Sequence, residues 1–117
     1  MAYKRPAIKK KECGQYMLPL RDALNVLNGK WKIIILLALS VKEYRFKELQ
    51  NEIHGIAGKM LSKELKELVQ NDLVKRTVHD TMPISIVYSI TAYGRSLENV
   101  IEELRKWGIK HRNRMIK

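Results

Sequence analysis

Five residues able to contact an anionic partner fall at helical spacing in one short stretch: Lys59, Ser62, Lys63, Lys66 and Gln70. Leu61, Leu65 and Leu68 interleave with them at i, i+4 and i+7. This pattern commits one face of a helix over residues 58–71 to a core and turns the polar set outward. Lysine donates to phosphate oxygens or to guanine acceptors, and Ser or Gln bonds to base edges or backbone, so this residue set suits reading duplex DNA. Lys59 and Lys63 are a like-charge i,i+4 pair, which slightly destabilises an isolated helix. An unfavourable pair on an otherwise well-built helix favours a binding role over a merely solvated face. Arg45 and Lys47, at the start of the preceding short helix, and Lys75 and Arg76, just after the long one, add candidate phosphate contacts. For Arg45 the competing reading is a surface ion pair with Glu48 or Glu52. His79 reads as a solvent-exposed strand residue.

No enzyme chemistry assembles from the remaining residues. Gly29-Lys30 is followed by Trp31 where a phosphate-binding loop needs Ser or Thr, and the upstream glycine is missing. His54, His79 and His111 lack metal-ligand spacing to one another or to Cys13. No Ser/His/Asp set or carboxylate pair stands out, so neither metal nor cofactor is expected. Trp31 and Trp107 lie on apolar faces and read as core rather than as stacking platforms.

The elements that must hold the polar set follow from periodicity. Leu20, Ala23, Leu24 and Leu27 mark a first helix, with Pro19 at its start and Asn28-Gly29 at its end. Residues 30–40 are apolar almost all round and predict a central buried helix. A short helix from Arg45 to Ile53 turns Phe46, Leu49 and Ile53 inward, and His54-Gly55-Ile56 forms the turn before the 58–71 helix. That order is a helix-turn-helix. The period then changes to two: residues 74–79 alternate, residues 84–90 are β-branched, and Asp80 to Pro83 carry turn chemistry, which predicts a hairpin. Thr91 caps a last helix whose stripe is Leu97, Val100, Ile101, Leu104 and Trp107. The fold class is mainly α with a small β-hairpin (α+β). Residues 13–107 form the domain, between a basic N-terminal tail (1–12) and a basic C-terminal tail (108–117).

Charge agrees with a polyanionic partner. The 117 residues carry a formal +11, and the chain is 45% apolar, enough for one core. Residues 1–12 hold five cations against one carboxylate, and residues 102–117 hold six against two, so most of the excess lies at the two ends. These ends are suited to salt-dependent affinity rather than sequence choice. Cys13 is the single cysteine, which excludes an intramolecular disulfide and fits a reducing compartment. The longest apolar run, residues 33–39, is far short of the roughly 20 residues that span a bilayer. The basic start is not followed by a signal-peptide core. A cytoplasmic protein is expected.

The runs Asn28-Gly29-Lys30-Trp31, Arg45-Phe46-Lys47-Glu48-Leu49 and Ile56-Ala57-Gly58-Lys59-Met60-Leu61-Ser62 come in a specific order and spacing. With Tyr88-Ser89-Ile90-Thr91, Gly94 and Trp107-Gly108 after them, they resemble the HxlR-type transcriptional regulators, relatives of the MarR regulators. The resemblance runs from about Cys13 to Gly108. It implies a winged helix-turn-helix homodimer that binds double-stranded DNA at a palindromic operator, with the 58–71 helix in the major groove. It further implies dimerisation through the terminal helices, where Leu20 and Leu24 join Leu97, Val100, Ile101, Leu104 and Trp107. Ala57 stands where the family usually has a capping Ser. Cys13 aligns with a cysteine that some members use to sense oxidants or electrophiles, and two readings of it stay open, a redox sensor or a small packing residue. A winged-helix module that binds protein or RNA is the alternative function. A peripheral membrane role is disfavoured because no basic amphipathic helix carries apolar anchors.

Overall fold

The computed structural model describes residues 13–116, with the side chain of Cys13 left outside the description. The N-terminal tail and the thiol of Cys13 therefore lie outside the described residues. Helix α1 (Cys13–Val26) precedes α2 (Lys32–Val41), a two-residue strand β1 (Tyr44–Arg45) and α3 (Phe46–Glu52). Next come α4 (Gly58–Gln70), β2 (Val74–His79) and β3 (Ser85–Ile90). The short α5 (Ala92–Arg95) and the long α6 (Glu98–Met115) close the chain.

The predicted helix-turn-helix and hairpin are present. Gly55, at φ +84°, makes the turn between α3 and α4, a left-handed conformation that a Cβ would strain. Leu49, Ile53 and Ile56 fall into the core with Leu61, Leu65 and Leu68 of α4, joined by Ile35, Leu36 and Leu39 of α2. β2 and β3 pair antiparallel from Val74↔Ile90 to His79↔Ser85. One element was not expected. Tyr44 and Arg45 pair with Tyr88 and Val87, so the hairpin becomes a three-stranded sheet in the order β1-β3-β2. Arg45 is therefore a strand residue and the residue before α3, not its first turn. A two-residue strand is too short to leave a period-2 pattern.

Four other expectations need correction. Pro19 lies inside α1 rather than at its start. Its missing N–H removes one helical bond, yet the Tyr16, Leu20, Leu24 stripe continues through it. α2 is buried on one face only: Ile35, Leu36 and Leu39 are inside, whereas Ile34, Leu37 and Val41 are exposed. The last helix is broken at Ser96-Leu97 into α5 and α6. At the break Ser96 N–H and Leu97 N–H donate to Tyr93 O and Gly94 O, three residues back (both 3.1 Å), and a tight corner holds the start of α5. Thr91 Oγ1 donates to Asp72 O (2.6 Å) and accepts from Gly94 N (2.9 Å). A Cβ on Gly94 would stand 2.3 Å from Leu73 O. Residues 108–115, expected in the C-terminal tail, continue α6 as helix.

Candidate nucleic-acid interface

All five polar residues singled out on α4 are exposed, and Leu61, Glu64, Leu65 and Leu68 are buried beneath them. Lys59, Ser62, Lys63, Lys66 and Gln70 thus share one solvent face of one helix. Among the described residues, none of these lysines forms an ion pair. The N-terminus of α4 has no side-chain cap, since Ala57 offers no acceptor. Gln50 of α3 supports this corner, donating weakly to Ile56 O (3.5 Å) and packing on Gly58.

The inner side of α4 holds a feature that spacing alone did not reveal. Lys32 of α2 is 1% exposed, and its Nζ donates to Glu64 Oε2 (2.7 Å), Glu67 Oε2 (2.5 Å) and Asn28 Oδ1 (2.9 Å). An ammonium has three protons, and all three are spent. Burial alone would lower the Lys32 pKa, but the hydrogen bonds and charges of Glu64 and Glu67 outweigh it and raise the pKa. The hydrogen bond from Lys32 lowers the Glu67 carboxyl below its ordinary value, with Lys63 adding a small effect in the same direction. The electrostatic result is segregation. Both carboxylates of α4 are answered from below, and the outer face is left to cations. A signal was there to find: Lys32 is the single charge in the apolar run 31–39, and Glu64 sits on the Leu61, Leu65, Leu68 stripe.

The remaining candidates separate by geometry. Arg45, Lys47, Lys75 and Arg76 are all exposed. Arg45 pairs with Val87, which pairs with Thr77, and Lys75 lies two residues along that face. Side chains directly opposite across a sheet share a face, so Arg45 and Lys75 belong to its outer side. Arg76 opposes Tyr88 and belongs to the other face, with Tyr44 and Val74. Strand alternation therefore parts two neighbours in sequence. Glu48 does not pair with the Arg45 guanidinium; its Oε1 accepts from the Arg45 backbone N–H (2.9 Å) and caps α3. The wing tip is apolar and exposed at Met82 and Ile84.

The terminal stripe also divides. Leu97 and Ile101 are taken up by the chain's own core, whereas Leu20, Leu24, Val100, Leu104 and Trp107 remain exposed. Trp31 packs against the core as expected, but Trp107 does not: it is 64% exposed and stacks on His111 (5.0 Å between ring centroids). Among the described residues, no helix is long and apolar enough to cross a membrane. No cluster of three or more His, Cys, Asp or Glu is placed to hold a metal there.

Residues 26–115 match the family described as HxlR-like helix-turn-helix. The HTH-type transcriptional regulator YtcD of Bacillus subtilis strain 168 is 36% identical over 101 residues, covering 86% of this chain and 80% of that protein. The HTH-type transcriptional regulator YodB of the same organism is 36% identical over 95 residues, covering 80% and 85%. Among solved structures, the redox regulator HypR in its reduced form superposes with a TM-score of 0.77 at 32% identity, covering 83% of this chain and 96% of that one.

Proposed function

The chain belongs to the HxlR-like helix-turn-helix family of transcriptional regulators, and from that membership we propose that it binds an inverted-repeat operator as a homodimer and acts as a repressor. The observation that carries the reading is α4 itself: an exposed face of Lys59, Ser62, Lys63, Lys66 and Gln70, with both of its carboxylates drawn to the opposite side by Lys32. Such a face, with Lys59, Ser62 and Lys63 near the helix N-terminus, suits the major groove. Arg45 and Lys75 on the outer sheet face, with Lys47 at the start of α3, would hold phosphates beside it. The exposed apolar faces of α1 and α6 support a dimer, since a protomer leaving Leu20, Leu24, Leu104 and Trp107 in water gains by burying them against a copy.

Selection of bound fragments from a random duplex pool tests this. Enrichment of two half-sites about 34–36 Å apart, or a multiple of that spacing, covered by one dimer is the expected result. A promoter carrying the selected site is expected to be more active without the protein. No enrichment, or a monomer in sedimentation, would overturn the reading and favour a protein or RNA partner. The neighbour HypR is a redox regulator, and Cys13 is the one thiol through which this chain could respond similarly, by an intermolecular bond. Diamide should then alter operator binding by the wild type but not by Cys13→Ser; equal responses would remove that role.

A further inference from the structure

A line of hydrogen bonds joins the end of α1 to the recognition helix. Asn28 Nδ2 donates to Asn25 O in the last turn of α1 (2.8 Å), and Asn28 Oδ1 accepts from Lys32 Nζ (2.9 Å). Lys32 then donates to Glu64 and Glu67 of α4. The amide orientation of Asn28 follows from chemistry: an ammonium only donates, so the amide oxygen must face it. Glu64 and Glu67 are three residues apart and lie on one side of α4, so one buried atom restrains both the rotation of the helix about its axis and its travel along it. Lys32 has no spare proton and almost no access to water, so a displaced α4 finds no substitute partner there. Asn28 is exposed and fills no part of the core, so packing does not explain its place in this line.

We propose that Asn28 and Lys32 are positioning residues of the recognition helix, fixing the pose of α4 relative to the C-terminal end of α1. The inference rests on the DNA-binding reading above and adds to it residues that touch no DNA. It makes α4 answerable to the helix that carries Cys13 at its other end.

The test compares full-length wild type with Asn28→Ala, which removes both Asn28 bonds, and Asn28→Asp, which keeps an acceptor for Lys32. Two quantities are measured: hydrogen exchange of the amides of residues 58–70 without DNA, and the ratio of affinities for the selected duplex and a scrambled one. Asn28→Ala is expected to speed exchange in α4 and to lower the ratio by about fivefold to tenfold, a size usual for residues that act through others. The salt dependence of binding should stay unchanged, because Lys59, Lys63 and Lys66 remain. Asn28→Asp should recover most of the ratio. For Lys32, the variant Lys32→Met with Glu64→Gln and Glu67→Gln avoids stranding buried carboxylates, and it too is expected to lose the ratio while still folding. Unchanged exchange in α4, or faster exchange with an unchanged ratio, would overturn the proposal. If the wild type enriches no duplex, the DNA-binding reading fails, and the exchange measurement alone decides whether Asn28 holds α4.

Discussion

Lys63 stands in the middle of the exposed face of α4, one turn from Lys59 and close to Lys66, and apart from a small electrostatic effect on Glu67 its side chain forms no ion pair among the described residues. Lys63→Ala is therefore expected to weaken binding to the selected duplex by about tenfold, to reduce the salt slope by about one, and to leave the melting temperature unchanged. A titration across salt concentrations, with a melting curve, checks this. Gly94 is the opposite case, a residue that matters to packing alone. The methyl of Gly94→Ala would meet Leu73 O at 2.3 Å and Ile90 Cγ1 at 2.7 Å. Overpacking costs about 1–3 kcal/mol, against a gain of about 0.4–1 kcal/mol from a stiffer unfolded chain, so the clash wins. A lower midpoint in urea is expected; an equal midpoint would mean that the corner yields. Gly94 was visible in the sequence as part of a motif, but its reason was not, because Leu73 approaches it only in the folded chain.

At the scale of elements, the seam between α2 and α4 sets a pH dependence. The Glu67 carboxyl is lowered, so its contribution is present above the ordinary carboxylate pKa and is lost as pH falls through the lowered value. The Lys32 ammonium is raised, so its contribution is present below its ordinary pKa and is lost as pH rises through the raised value. Wild type is thus expected to be more stable than Glu67→Gln at neutral pH, with the difference shrinking in acid. Denaturation midpoints of both proteins at neutral and acid pH test this, and a pH-independent difference would show that the Glu67 charge contributes nothing. The elements themselves were largely legible. The stripes of α4 and the alternation of β2 are local properties of spacing. β1 was not, since it depends on a partner strand far along the chain.

The whole molecule is more extended than its length requires. Its radius of gyration is 17.3 Å, against about 13 Å for a compact chain of this size. Its extents are 60 × 39 × 25 Å. α1 keeps an apolar stripe in water despite carrying Pro19, which weakens it as an isolated helix. In the homodimer proposed above, a second copy would support such a helix. Replacing Leu104 and Trp107 together by Glu is expected to give a monomer in sedimentation with its core secondary structure retained, and to abolish high-affinity binding to the two-half-site duplex. An unchanged dimer would place the interface elsewhere. The same substitutions at Leu97 and Ile101 would instead damage the protomer, because those two side chains already serve its own core.

By itself the sequence determined the exposed polar face of α4, the hairpin that follows and the apolar stripes of the terminal helices. Each of these is written in the spacing of neighbouring residues, and helix and strand periods translate spacing into faces directly. The tertiary structure decided which residues meet. It brought Lys32 to Glu64 and Glu67, set Arg45 and Lys75 on one side of the sheet and Arg76 on the other, and divided the stripe of α6 between the protomer's core and open solvent. These pairings join residues far apart in sequence. Burial fixes the first, because a charge carried into the core must find its counter-charge wherever the chain supplies one, and strand register fixes the second.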